Sequence, residues 1–389
     1  MSRLKELIQQ YCPDGVEYKK LGDVVSISRG ASPRPIQNYL TNEEDGIPWI
    51  KIGDVSANSK YITSTAERIT REGASKSRFL NKGTFILSNS MSFGRPYILG
   101  IDGCIHDGWI SICDFGASLN SDFLYYLLRS SDVQGYWISK ANSGGAVANL
   151  NSDIVRSTPI PVPPLPVQEE IVRILDTFAE LQAELQAELQ KRIQQYNYFR
   201  DNLLSFEGRT DVEWKKLGEM TTILRGKRLT KSQLSNDKPY AVYHGGLEPL
   251  GYYESANRTA NTTMIINVGA SAGTIGYSKE DFWSSDGCYC VEHSNLFDDR
   301  YIYYVLQTQE QQLKSKVRVA GIPTLDRPVV VDLLVPIPPL AEQQRIVDIL
   351  DRFDKLTTDI TAGLPAEIEA RRKQYEHYRD QLLTFKQKA

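Results

Sequence analysis

The chain repeats itself, and the repeat limits what it can fold into. Pro163-Pro164-Leu165-Pro166-Val167-Gln168-Glu169-Glu170-Ile171-Val172-Arg173-Ile174-Leu175-Asp176-Thr177-Phe178 returns as Pro338-Pro339-Leu340-Ala341-Glu342-Gln343-Gln344-Arg345-Ile346-Val347-Asp348-Ile349-Leu350-Asp351-Arg352-Phe353. Each copy opens on prolines, which cannot sit inside a helix, and then becomes strongly helical. Apolar residues recur at Ile171, Ile174, Phe178, Leu181 and Leu185, and again at Ile346, Ile349, Phe353, Leu356 and Ile360. This alternation of three- and four-residue steps is the narrow seam of a coiled coil rather than a broad globular face.

The similarity spreads outward from these helices. Tyr196-Asn197-Tyr198-Phe199-Arg200-Asp201 matches Tyr375-Glu376-His377-Tyr378-Arg379-Asp380, and Val16-Glu17-Tyr18-Lys19-Lys20-Leu21-Gly22 matches Val212-Glu213-Trp214-Lys215-Lys216-Leu217-Gly218. Leu7-Ile8 falls on Leu203-Leu204 in the same alignment, so residues 1–11 read as the tail of a helix whose front is missing. The repeat is cyclic, and the two termini are expected to lie near one another. Four segments result: a first domain over 1–158, a long helix over 159–208, a second domain over 209–334 and a second long helix over 335–389.

This plan resembles the specificity subunit of type I restriction–modification systems. The residues that carry the resemblance are the two Pro-Pro-Leu helix starts and the stretch Gly363-Leu364-Pro365-Ala366-Glu367-Ile368-Glu369-Ala370-Arg371-Arg372. It implies an α+β fold in which two homologous target-recognition domains of short strands and helices are separated by two helices packed as an antiparallel coiled coil, with pseudo-twofold symmetry. It also implies a non-catalytic chain that binds a bipartite double-stranded DNA site. The partners implied are two methyltransferase subunits and ATP-dependent restriction subunits. S-adenosylmethionine, ATP and Mg would act in those partners and none of them in this chain. The competing reading is a repeat scaffold whose domains bind proteins.

The residues themselves set further bounds. The chain of 389 residues has a net charge of −3, and residues 12–158 and 209–334 each hold as many basic as acidic residues, so a nucleic-acid surface must come from local clustering. The five cysteines show no Cys-x-x-Cys pair, as expected of reduced thiols in a cytoplasmic protein, and the four histidines show no metal-ligand spacing. No apolar run reaches transmembrane length. No (Asn/Asp)-Pro-Pro-aromatic motif, Walker sequence or nucleophile–base set marks an enzyme.

Within the first domain, Val24–Ser28, Trp49–Ile52, Thr84–Ser88 and Trp109–Ile112 read as strands, and 121–130 as a helix capped at Asn120 or Ser121. Positive charge gathers between Lys60 and Arg95, which suits phosphate neutralisation through Lys76 and Arg78. Asn89, Ser90 and Arg95 follow a strand and could reach base edges. In the second domain Arg225, Lys227 and Arg228 head a basic run. His244 is a candidate base reader, and Ser271 lies in the small-residue loop Gly269–Gly273 that could admit a foreign backbone. This loop is not a phosphate-binding P-loop, because no Gly-Lys-Ser/Thr follows it.

Overall fold

A computed structural model describes residues 2–55, 59–89, 93–115, 118–141, 149–358 and 363–388. The elements that matter for function are, in chain order, α1 (Ser2–Tyr11), β1 (Tyr18–Lys20), β2 (Ser26–Arg29), β3 (Phe85–Ser88), β4 (Trp109–Cys113), α2 (Ser121–Leu128), β5 (Pro159–Pro161) and α3 (Leu165–Ser205). The second copy supplies β6 (Glu213–Lys216), β7 (Ile223–Arg225), β8 (Thr262–Ile266), β9 (Cys288–Val291), α4 (Asp299–Thr308), β10 (Leu334–Ile337), α5 (Leu340–Thr358) and α6 (Leu364–Leu383). The chain forms two compact units, residues 1–184 with 369–389, and residues 185–368.

The first domain is entered and left through one antiparallel pair, β1 on β5, with Tyr18 opposite Pro161. Inside it, β2, β4, β3, Pro96–Leu99 and Tyr61–Ile62 make one five-stranded sheet. Leu40–Thr41, Glu67–Ile69, Ile47–Ile50, Gly103–Ile105 and Arg78–Leu80 make a second. β4 is buried on both faces: Ile110 and Ile112 join the core with Phe123, Leu124 and Leu127 of α2, and Trp109 joins a separate cluster with Ile50 and Tyr97. That explains why Trp109–Cys113 reads as an almost unbroken apolar run. Asn120 caps α2 by accepting from the backbone N–H groups of Asp122 and Phe123.

The second unit repeats this design. β6 pairs antiparallel with β10, and β7, β9, β8 and Ile275–Ser278 form a four-stranded sheet in the order of its counterpart. Asp298 caps α4 as Asn120 caps α2.

A buried glutamine joins each domain to its long helix. Gln168 Oε1 accepts from Asn120 N at 2.8 Å, while its Nε2 donates to Ser118 O and Pro163 O. Gln343 does the same with Asp298 N, Leu296 O and Pro338 O. Both side chains are fully buried. Farther along, the hydroxyl of Tyr126 donates to Asp176 and that of Tyr304 to Asp351, so these tyrosines serve packing and helix attachment.

The helices pair in opposite directions. In the first unit Ile171 and Leu175 of α3 share a core with Leu382 and Leu383 of α6, and Phe178 stacks on Tyr378 with ring centroids 5.4 Å apart. Residue numbers therefore rise along one helix and fall along the other. In the second unit Ile346 and Leu350 of α5 share a core with Leu204, and Phe353 stacks on Phe199 at 5.6 Å. Helix α1 lies in the first core through Leu4, and the two ends of the chain meet there. Val16 N donates to Lys386 O, and Lys388 N donates to Val16 O.

Two expectations need correction. The predicted seam is not uniform: Ile171 and Ile346 are buried, Ile174, Phe178, Leu185, Ile349 and Phe353 are half-buried, and Leu181 and Leu356 are exposed. The first turns of α3 face a domain as well as a helix, so Val167, Val172 and Leu175 widen the buried face beyond a seam. Ile360 lies outside the described residues. The second long helix is two helices, α5 and α6. Pro365 stands at the second position of α6, where a missing N–H costs nothing, and Gly363 precedes it.

Candidate nucleic-acid interface

The same small structure is built at the edge of each domain, where the chain leaves β2 or β7 beside the entry to β4 or β9. In the first domain Gly30 N donates to Trp109 O at 2.8 Å and Ala31 N to Ile105 O at 3.2 Å. In the second, Gly226 N donates to Cys288 O at 3.2 Å and Lys227 N to Ser284 O at 2.9 Å. A Cβ on Gly30 would lie 2.1 Å from His106 O, and one on Gly226 2.1 Å from Ser285 O, so only glycine fits either position.

The arginine before each glycine reaches across to an Asp-Gly pair. Arg29 Nε donates to Asp107 O at 3.0 Å and Arg225 Nε to Asp286 O at 3.3 Å. Beneath them Asn89 N bonds Gly108 O and Asn267 N bonds Gly287 O, while Leu150 N bonds Asn89 O and Leu325 N bonds Asn267 O. Backbone bonds thus fix both tips, and side chains are free to differ.

They do differ. In the first domain Asp107 accepts from Ser32 Oγ at 2.9 Å and pairs with Arg34 at 3.2 Å. Burial alone would raise the Asp107 carboxyl, but Ser32, His106 and Arg34 together hold it below the usual carboxylate range. Burial pushes the neighbouring His106 ring down, and nearby Lys51 and Arg29 add to this against Asp107. Arg34 itself stays 82% exposed. In the second domain Lys227 and Arg228 are exposed, and their side chains have no hydrogen-bond or ion-pair partner among the described residues. Trp283 Nε1 donates to Lys227 O, which fixes the backbone and leaves the amine to solvent. His244 Nδ1 lies 3.3 Å from Asp286 Oδ1, within ion-pair range but outside hydrogen-bond geometry.

The residues expected from the sequence separate into two groups. Arg225, Lys227, Arg228 and His244 come together at the second tip. Ser271 sits in the turn Gly269–Gly273, beside the same edge, since a Cβ on Gly245 would lie 3.2 Å from Val268 O. The first-domain set is dispersed. Asn89 is buried and donates to Asp107 O at 3.1 Å, so it supports the tip and cannot reach a base edge. Lys76 is held by Glu72 and Tyr39, which push its amine up to about 12. Arg78 donates to Arg29 O, one layer below the tip. Arg95 lines a cavity of about 390 Å³ with Arg129 and Arg379, against α2 and α6. Ser90 lies outside the described residues. The sequence reading missed Arg29, Ser32, Arg34 and Asp107. The signal was available, because Arg29-Gly30 stands at the same distance from Leu21 as Arg225-Gly226 does from Leu217.

The type I restriction modification DNA specificity domain model matches residues 13–195 and 210–370, one match to each copy of the repeat. The chain belongs to this family. It is 32% identical over 311 residues to the EcoR124I/EcoR124II specificity subunit of Escherichia coli, covering 71% of this chain and 73% of that one. A Mycoplasma pneumoniae chain provisionally named a type I specificity subunit is 30% identical over 242 residues, which are 97% of its length and 59% of this one. The type I restriction–modification S subunit from M. genitalium has the same fold, with a TM-score of 0.56, 16% identity and coverage of 95% of this chain and 96% of that one. Among the described residues no helix is long and apolar enough to cross a membrane.

Proposed function

We propose that this chain is the DNA-reading subunit of a type I restriction–modification complex, with one half of a bipartite duplex site read by each domain. The observation that carries the reading is the Arg-Gly/Asp-Gly tip, built twice at equivalent places with different side chains around it. A backbone frame repeated in both domains, with different side chains around it, suits two domains that read different half-sites in one way. Arg34 in the first domain, and Arg225, Lys227 and Arg228 in the second, neutralise phosphate and approach base edges. The paired helices dock two methyltransferase subunits, and restriction subunits join for cleavage. S-adenosylmethionine, ATP and Mg act in those partners. The half-sites are found by mapping methylated adenines in cells that carry this chain and its methyltransferase. A duplex holding both halves should then outcompete an unrelated duplex, with binding that falls steeply as salt rises. Equal binding to both duplexes would sink the reading and favour a protein scaffold.

A further inference from the structure

Past the helix Glu310–Ser315 the second domain folds into a tight hairpin. Arg318 and Thr324 exchange backbone hydrogen bonds of 2.9 and 3.0 Å, and Gly321 reverses the chain with φ +83°. The turn carries Val319, Ala320, Gly321 and Ile322. Val319 is 78% exposed and Ile322 71%, and among the described residues no large apolar side chain is more exposed. The hairpin cannot fold back to hide them, because its stem is tied down. Gly269 N bonds Pro323 O, Val268 bridges Thr324, and Leu325 N bonds Asn267 O. Two aliphatic side chains are thereby held out in water on a braced support.

We propose that this hairpin is an apolar reader of the second half-site, burying Ile322 and Val319 against DNA bases while the neighbouring cations hold phosphates. The inference rests on the DNA-reading function proposed above and names a part of it that the charged residues do not supply. Three observations choose bases as the occupant. The hairpin is continuous with the tip: its anchor Asn267 bonds Gly287 O at 3.1 Å, and a Cβ on Gly287 would lie 2.9 Å from Val268 Cγ1. Its flanks are basic at Lys316 and Arg318, of which Arg318 pairs with Asp326 at 3.2 Å and Lys316 forms no ion pair among the described residues. Its turn side chains offer only aliphatic carbon, so they cannot read a donor–acceptor pattern. Aliphatic carbon fits thymine methyl groups and base faces instead.

Val319→Ser and Ile322→Ser, singly and together, test this in the full chain assembled with its methyltransferase subunits. Both side chains stand in solvent, so thermal unfolding should not move. The double variant should lose about tenfold or more in affinity for the cognate duplex. Its affinity for an unrelated duplex, and the salt dependence of both, should stay as they were, since no charge is removed. Unchanged cognate affinity overturns the proposal, and so does an equal loss on both duplexes. Weakened assembly with the methyltransferase subunits and an intact sequence preference also overturns it, because the turn would then face protein. A parent chain that cannot tell the two duplexes apart defeats the DNA-reading function itself, a result visible before any variant is made.

Discussion

Lys76 and Lys227 carry the same charge and have opposite prospects as DNA ligands. Lys76 is already occupied by Glu72 and Tyr39, whereas the Lys227 and Arg228 side chains stand in solvent without a partner among the described residues. Replacing Lys227 and Arg228 by alanine should weaken binding to every duplex and lower the salt slope by about one per charge. Lys76→Ala should leave that slope where it is, and titrations at several salt concentrations separate the two. At this scale the sequence was only partly legible. Arg225 was visible because it heads a run of basic residues, whereas Arg29 stands outside any such run and is found only by aligning the two copies; each arginine's partner, Asp107 or Asp286, lies far along the chain. Asn89 looked like a loop residue for the same reason. Its partner is a backbone carbonyl on a neighbouring strand connection, which no local pattern reveals.

Among the elements, the helix starts were the most legible part and their attachment the least. Gln168 and Gln343 belong to the repeated motif, but their partners at Asn120 and Asp298 are set by tertiary packing. Gln168→Leu would leave three backbone groups, Asn120 N and Ser118 O of the first domain and Pro163 O before α3, without their partner, and each buried loss is worth roughly 1–3 kcal/mol. The variant should therefore lower the stability of the first unit by on the order of 3 kcal/mol and leave the second unit unchanged. Hydrogen exchange read separately over α2 and α4 would show whether the loss is confined in this way. Helix α3 runs unbroken through three Ala-Glu-Leu-Gln tetrapeptides at 179–190. Each unit adds about 6 Å and about 40° beyond a full turn, against roughly 3.4 Å and 35° for one base pair. Removing 187–190 should shorten the gap between half-sites by one base pair, because a domain turned to the wrong side of the duplex cannot read it. Methylation mapping that finds the old gap at full activity would refute a spacer role.

For the whole molecule, the cyclic repeat was readable because it needs only self-comparison, and the break between α5 and α6 was not read although Gly363 and Pro365 marked it. The core of the first unit is completed by Leu382, Leu383, Tyr375 and Tyr378. Their repeat equivalents, Leu203, Leu204, Tyr196 and Phe199, lie on the first long helix. A fragment of residues 1–207 should therefore form a twofold dimer in which each copy supplies the other with this missing cover. Sedimentation that finds a folded monomer at high concentration would count against such pairing. The strand pairs at the domain edges have a consequence for inheritance. The first domain begins at β1 and ends at β5, which lie side by side, and β6 and β10 frame the second in the same way. A gene crossover at the codons for such a pair would deliver a complete new reader into an unchanged frame. Populations could then acquire a new target in one recombination event, provided the incoming domain keeps the groups that bond Gln168 and Asp176 of the helix.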